Sequence, residues 1–420
     1  MHRGRSRTTK RYVHVGGVGT LVGVLLPMLV AAGCGDDDAT TGGGGADEGA
    51  DGSVVGDGGG RDAARVVDAG PDVVDASAAD ANEDAEPGDA GPDVREGANI
   101  AFATSRTVRG DFGGLGAGDA ICNEEAADAG LPGTYVAYLS TSTVDAIDRI
   151  AGSRGWVRPD GKPFADRPED IAEGRIIYPL VRTARNVEAF AFGHHFTGSN
   201  VMGRKAIGRT CDDWTSTTGD ASGGSFGSSI AFSGGTGVRC ADPQWLACLG
   251  VGKTFALPAP PQTQGRLAFV TKGDFTPGGG LAAADALCQA EATAAGRTGT
   301  FRALLAADGA TAASRFSTAG LPWVRADGLA LAETAEAFLT KPQYDLPILY
   351  SADGLTRFDS SRDYWRGAPA PFTPGTSEST CASWTTTTGN GTGGWGVDRV
   401  GWGNVPTPCD QPLGLVCLQE

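Results

Sequence analysis

The chain contains two similar successions of predicted strands and helices, and each begins with a short apolar stretch. "IAFAT" from Ile100 and "LAFVT" from Leu267 predict strands. An Ala-rich segment follows each strand and predicts a helix that ends at Gly130 or Gly296. A second strand ("TYVAYL", "TFRALL") and a short amphipathic segment ("VDAIDRIA", "AASRF") come next. The remainder is rich in Gly, Ser and Thr, which is typical of short strands and long loops. Because helices precede most of the β-structure, the pattern predicts an α+β fold.

The two series are copies of one sequence unit. "GGLGAGDAIC", ending at Cys122, matches "GGLAAADALC", ending at Cys288, and "WVRPDG" matches "WVRADG". "TCDDWTSTTGD" likewise matches "TCASWTTTTGN". We therefore predict a first domain at residues 98–252 and a second at 265–420, each long enough to enclose one core. The segment 253–264 contains "FALPAPPQTQ" and predicts a Pro-rich, semi-rigid linker.

Eight cysteines of the two repeats form two matched quartets. In an exported chain such quartets indicate disulfides, and four cysteines permit three pairings among which spacing does not choose. A four-cysteine zinc site is excluded because neither quartet contains a C-x2-4-C pair. The cysteines are Cys122, Cys211, Cys240 and Cys248, then Cys288, Cys381, Cys409 and Cys417.

The N-terminus predicts export. Five basic residues precede an apolar run at residues 18–30, which is too short to span a bilayer and is typical of a signal peptide, here residues 1–33. "LVAAGC" resembles the lipobox of bacterial lipoproteins, which implies a lipid on Cys34 and an exported chain anchored to the bacterial membrane, at the outer membrane or cell surface. The alternative is an ordinary signal peptide with Cys34 incidental.

Residues 34–97 predict a disordered acidic tether. From residue 35 to 97 there are 18 Asp and Glu, three Arg and no aromatic residue, so too little apolar surface is available to offset the entropy of ordering. The whole-chain charge is −16, and the tether accounts for most of it. Since phosphates require a basic footprint, a nucleic-acid partner is not expected.

The order of elements and the "C-x-x-W-T" phrase resemble the C-type-lectin-like fold. The closer likeness is to an endostatin-like branch that occurs as repeated domains in bacterial surface lipoproteins. The resemblance implies nested disulfides. It does not imply calcium-dependent sugar binding, because the Glu-Pro-Asn or Gln-Pro-Asp triplet of true C-type lectins is absent. The implied pairs are Cys122–Cys248, Cys211–Cys240, Cys288–Cys417 and Cys381–Cys409.

Aromatic residues and histidines that occur in only one copy mark candidate ligand contacts. They fall in the predicted middle loops, and loops commonly carry recognition. The alternative is that they pack beneath those loops as core. The candidates are Phe190, Phe192, His194, His195, Phe196, Phe358, Tyr364 and Trp365.

The expected function is non-enzymatic binding of a glycan, an envelope polymer or a protein by a lipid-anchored tandem of domains. One alternative is a structural spacer of the cell envelope with no specific ligand. Another is a metal-dependent enzyme confined to the first domain, because the second copy contains no histidine. We predict no catalytic, cofactor-binding or metal-ligating residue.

Overall fold

The computed structural model describes residues 94–188, 193–341, 343–356, 358, 362–395, 402–403 and 405–420. The predicted signal peptide, Cys34 and the tether as far as residue 93 lie outside the described residues. So do Phe190 and Phe192.

The described chain is a mixed α+β structure with small sheets and few helices. A short helix α1 (Val94–Gly97) precedes the first repeat. That repeat contains β1 (Asn99–Ala103), α2 (Leu115–Asp128), β2 (Thr134–Ala137), a 3-10 turn (Ile147–Ile150), β3 (Trp156–Val157), β4 (Pro163–Ala165), α3 (Pro168–Ala172), β5 (His194–Phe196), α4 (Cys211–Trp214), β6 (Asp220–Ser225), β7 (Thr236–Arg239) and β8 (Ala247–Val251).

The second repeat has nearly the same order of elements. It contains β9 (Arg266–Val270), α5 (Gly280–Ala294), β10 (Phe301–Ala303), a 3-10 turn (Ala313–Arg315), β11 (Trp323–Val324), α6 (Ala335–Thr340), β12 (Asp363–Trp365), α7 (Cys381–Trp384), β13 (Asn390–Trp395), β14 (Val405–Pro408) and β15 (Val416–Gln419). None of the described helices is long and apolar enough to cross a bilayer.

Each repeat has one sheet that joins its beginning to its end and one sheet in its loop-rich half. The joining sheets have the orders β2-β8-β1-β3-β4 and β10-β15-β9-β11. In both, the first strand pairs antiparallel with the last, Phe102 opposite Cys248 and Phe269 opposite Cys417. The second sheets have the orders β5-β6-β7 and β12-β13-β14. Residues far apart in sequence therefore pack together, and the buried apolar residues form two clusters in each repeat.

Four disulfides lie within the repeats and have the nested arrangement that the resemblance implied. Cys122–Cys248 and Cys288–Cys417 tie the long helix of each repeat to its last strand, closing separations of 126 and 129 residues. The inner bridges, Cys211–Cys240 and Cys381–Cys409, close 29 and 28 residues. In the chain-entropy model an inner bridge contributes about 3.5 kcal/mol and an outer bridge about 5 kcal/mol.

Polar side chains on the long helices fix the adjacent strand in both repeats. Asp119 accepts a hydrogen bond from the Ala137 amide at 2.9 Å and pairs with Arg149 at 2.6 Å. The second repeat keeps the arrangement, with Asp285 accepting from the Ala303 amide at 2.9 Å and pairing with Arg315. Satisfying these partly buried groups avoids a desolvation penalty and sets the helix against the sheet.

Four tryptophans that occur at equivalent places in both copies are core residues. Trp156, Trp214, Trp323 and Trp384 are fully buried. The indole N–H of Trp156 donates to the Gly250 carbonyl oxygen at 2.8 Å, and that of Trp214 donates to Ser140 at 2.9 Å. A buried indole N–H requires such a partner, so each ring has a single well-defined setting.

Candidate functional site

The "C-x-x-W" phrase folds into a left-handed turn. Cys211, Asp212, Asp213 and Trp214 have φ between 50° and 68°, and Cys381–Trp384 repeat this geometry. Left-handed backbone costs a non-glycine residue about 1–2 kcal/mol, so the turn needs tertiary support. The disulfide at its first residue and the buried tryptophan at its last residue provide that support.

An aspartate–serine contact joins this turn to the loop after the second strand in both repeats, with the two residue types exchanged. In the first repeat, the Ser142 amide and hydroxyl both donate to the Asp213 carboxylate at 2.6 Å. In the second, the Asp308 amide donates to the Ser383 hydroxyl at 3.1 Å. Burial opposes ionisation of Asp213, but the hydrogen bonds from Ser142 outweigh it and hold the pKa of this carboxyl below its usual range.

Residues 199–209 form a largely exposed loop of the first repeat, and we call them the recognition loop. The Asn200 side chain accepts from the Met202 amide at 3.0 Å and the Arg204 amide at 3.1 Å. The Lys205 amide donates to Asp145 at 2.8 Å. Backbone and side-chain hydrogen bonds therefore hold both arms of the loop in place.

The recognition loop exposes three apolar side chains. Val201 is 44%, Met202 56% and Ile207 95% solvent-accessible. Three of the eight large apolar side chains that are exposed among the described residues thus lie in this loop, and we call these three the apolar patch. Exposed apolar groups with polar neighbours are typical of interaction sites. The rim includes Arg204 and Arg209, both of which are exposed.

Charges around the patch are largely balanced. Arg204 contacts Asp145 at 3.1 Å and Asp148 at 2.9 Å, and Arg209 lies 3.6 Å from Asp220. The Lys205 amide and the Arg204 guanidinium hold the pKa of Asp145 below its usual range. The loop therefore offers hydrogen-bonding and apolar contacts rather than a strong electrostatic field.

A groove of about 380 Å³ lies between the recognition loop and the β6–β7 hairpin. Its lining includes small residues of the hairpin, Ala221, Ser222 and Gly237, together with Asn200 and Arg209 of the loop. The backbone of Ala221 and Ser222 is engaged in the sheet, so the polar groups that the groove presents are the side chains of Asn200 and Arg209. Val201 lines the same groove and places an apolar side chain beside them.

The second repeat has a related loop with different chemistry. Gly198 and Gly367 occupy equivalent places, since an added Cβ would lie 2.9 Å from the Trp214 ring or 2.8 Å from the Trp384 ring. The loop after Gly367 exposes Phe372, which is 47% accessible. The two repeats thus display different apolar groups on the same framework.

Four of the eight predicted contact residues are core instead. His195, Phe196, Tyr364 and Trp365 are buried at 2% exposure or less because they lie on β5 and β12, which pack against the interior. Their burial favours the alternative that they pack as core. These positions belong to strands rather than to the predicted loops.

The remaining candidates have mixed positions. His194 is half-buried on β5, where it pairs with Ser225. Phe358 is also half-buried, and the Arg362 guanidinium lies 4.9 Å from its ring centre. Neither residue lines the groove beside the recognition loop.

His195 is a neutral core histidine. Its ring lies 4.3 Å from Phe226 and 4.8 Å from Phe232, centre to centre. Burial lowers the pKa of this imidazole to about 3, because charging it would remove an ion from water. The equivalent residue of the second repeat is Tyr364, at the middle of β12.

The described residues contain no group of three or more histidine, cysteine, aspartate or glutamate side chains that could hold a metal ion. Asp213 lies close to the inner disulfide of the first repeat, and its carboxylate accepts hydrogen bonds from the hydroxyls of Ser142 and Thr210.

Sequence reasoning missed the residues of the apolar patch. Its signal was available in "NVMGRKAIGR", where Val, Met and Ile interrupt an otherwise polar, Gly-containing loop. The predicted contacts were aromatic residues and histidines, and this loop contains neither.

Neither a scan of protein-family models nor a search of curated proteins matched this chain.

Proposed function

We propose that this protein is an exported bacterial lipoprotein whose two C-type-lectin-like, endostatin-like domains recognise a glycan, an envelope polymer or a protein without catalysing a reaction. Cys34 would carry the lipid and residues 35–97 would hold the domains away from the membrane, at the outer membrane or cell surface. The lipobox-like "LVAAGC" supports the anchor.

The domain assignment is supported by topology as well as sequence. In each repeat the first strand pairs with the last, the long helix is bridged to that last strand, and a second bridge closes the loop-rich half. Two such units in one chain agree with the tandem arrangement that the resemblance implies.

The observation that carries the binding proposal is the recognition loop above its groove. Met202 and Ile207 are held out by a loop whose backbone bonds are already made. Exposed apolar surface does not stabilise the free protein, while covering it on association contributes about 25 cal/mol per Å². Because the loop is preorganised, little conformational entropy is lost on binding.

Binding is tested with the soluble chain, residues 35–420, immobilised and exposed to glycan arrays, peptidoglycan fragments and envelope protein extracts. We expect one of these three classes to be retained, and retention to fall at least tenfold in the Met202→Ser/Ile207→Ser double variant. Leu321→Ser is the matched control, because Leu321 is 54% exposed outside the recognition loop.

Two results would count against binding by this loop. Equal retention by the double variant and the control would place the ligand elsewhere. Retention of no class by the wild-type chain would favour the alternative of a structural spacer.

The anchor is tested separately. A Cys34→Ala full-length chain should lose globomycin-sensitive processing and membrane association. Unchanged fractionation would show that Cys34 carries no lipid.

A further inference from the structure

The two repeats touch through a specific set of side chains. Lys162 of the first repeat donates to the Asp345 carboxylate of the second at 3.0 Å. Ile177 and Tyr178 of the first repeat pack against the core cluster of the second, which includes Leu329. Residues Glu83–Glu420 accordingly form one compact unit rather than two.

The environment of Tyr178 shows how close this contact is. Its ring centre lies 5.3 Å from the Lys162 ammonium and 5.6 Å from the Arg158 guanidinium, distances at which a cation is attracted to an aromatic face. Burial, and then the carboxylate of Asp345 across the contact, raise the pKa of this phenol.

Both repeats use the same part of their fold to contact each other. In the "WVRxDG" turn, Arg158 binds Asp160 and donates to the Pro179 carbonyl at 2.9 Å. Arg325 equally binds Asp327 and donates to the Pro347 carbonyl at 3.1 Å. The residues just before these prolines, Ile177 and Tyr178 in one repeat and Asp345 in the other, make the contact between repeats.

We call each turn, with the residue after it and the segment that ends at its proline, a docking face. The first comprises residues 156–162 and 177–179, and the second comprises residues 323–329 and 345–347. The contact is therefore isologous in form, one docking face against its equivalent. A cavity of about 330 Å³ between the repeats is lined by both faces and by Pro260 and Gln262 of the linker.

The symmetry is broken by charge in an informative way. When the two turns are aligned in sequence, Leu329 is the equivalent of Lys162. When the two prolines are aligned, Asp345 is the equivalent of Ile177. The symmetry counterpart of the Lys162–Asp345 ion pair is thus the apolar pair Leu329 and Ile177, which line the same cavity. One half of the contact is ionic and the other half is apolar.

This pattern selects unlike partners. Two first repeats docked in the same way would set Lys162 against Ile177, and two second repeats would set Leu329 against Asp345. Either pairing leaves a charge facing an aliphatic side chain, which costs free energy unless the charge stays in water. Only the pairing of a first with a second repeat matches charge with charge and apolar with apolar.

The linker is hydrogen-bonded to both repeats near its two ends. The Leu257 amide donates to Asp166 of the first repeat at 2.8 Å, and the Thr263 amide donates to the Gly328 carbonyl of the second at 2.9 Å. Both ends of the linker are therefore fixed to the repeats that they join.

We infer that the two docking faces form a permanent heterotypic interface that holds the repeats together without the linker and discriminates against pairing of like repeats. The partner of each face is the other repeat of this chain. Whatever ligand the recognition loop binds, the two repeats then meet it as one body rather than as two independently mobile modules, and this inference does not depend on the ligand.

The test uses residues 35–420 with a protease site inserted between Ala259 and Pro260 and an affinity tag at the C-terminus. After cleavage at micromolar concentration, we expect the untagged first repeat to remain on the affinity resin with the second. If the first repeat washes through, the interface depends on the linker and the inference is wrong.

Charge reversal tests the specificity. Asp345→Lys places two ammonium groups at the contact and should weaken retention of the cleaved first repeat at least tenfold, while Lys162→Asp/Asp345→Lys should restore it to within about threefold. Asp242→Lys is the matched control, since it disrupts an exposed ion pair, Arg239–Asp242, outside the docking face. Equal retention by Asp345→Lys and Asp242→Lys, or recovery of like pairs from a cleaved mixture, would overturn the inference.

Discussion

Replacing Gly203 by alanine should release the recognition loop from the first repeat. Gly203 has φ of 73°, and an added Cβ would lie 2.3 Å from the Tyr138 hydroxyl and 3.0 Å from the Ile147 Cβ. Tyr138 is fully buried and its hydroxyl is hydrogen-bonded to Ser233 at 2.9 Å. The ring therefore cannot turn aside without losing that bond.

The expected loss combines two terms. Left-handed backbone costs alanine about 1–2 kcal/mol, and breaking the Tyr138–Ser233 hydrogen bond costs about 1 kcal/mol. Gly203→Ala should thus destabilise the protein by about 2–3 kcal/mol. Gly208→Ala is the matched control, because Gly208 has φ of 69° but an added Cβ there meets nothing within 4 Å. It should show the backbone cost alone.

Urea unfolding under non-reducing conditions, followed by tryptophan fluorescence, measures both variants. A second readout is limited proteolysis of the recognition loop, which should be faster in Gly203→Ala than in Gly208→Ala. If the two variants lose the same stability, the loop is not held against Tyr138 as the structure has it, and the argument for a preorganised recognition loop fails.

Two further predictions concern the buried His195 and the Asp213–Ser142 contact of the first repeat. The folded-state pKa of His195 is about 3, below its unfolded value, so the unfolded chain binds more protons and stability should fall as pH drops from about 6.5 towards 3. His195→Phe should reduce the slope of unfolding free energy against pH by about 1.4 kcal/mol per unit near pH 5; an unchanged slope would show that His195 is not buried neutral. Ser142→Ala and Asp213→Ala should be non-additive, with a coupling of about 1–3 kcal/mol in a double-mutant cycle of urea unfolding, and full additivity would contradict the contact between them.

Repetition within the chain made the core predictable. Trp156 and Trp323 occur at equivalent places, and both are buried against the last strand of their own repeat. The helix ends at Gly130 and Gly296 are predicted by the preference for glycine just after a helix, and both glycines have positive φ, of 70° and 69°. Local signals suffice for such features because they depend on residues adjacent in sequence or present in both copies.

The candidate site was predicted far less well. His195 and Tyr364 differ between the repeats, which made them candidate contacts, yet both are buried on strands. Their positions depend on which side of a short strand faces the interior, and a three-residue strand carries too little periodicity to show this. The four left-handed residues from Cys211 to Trp214 had no sequence signal, since none is glycine.

The sequence alone determined the duplication, the two cysteine quartets, the α+β class and the acidic segment before the repeats. These follow from composition and spacing, which are properties of the chain itself. Only the tertiary structure decided that Met202 and Ile207 face solvent, that Asp213 meets Ser142, and that Lys162 meets Asp345. Each of these contacts joins residues distant in sequence or depends on which side of a loop the fold covers. The packing of the whole chain sets those relations, and no local pattern encodes them.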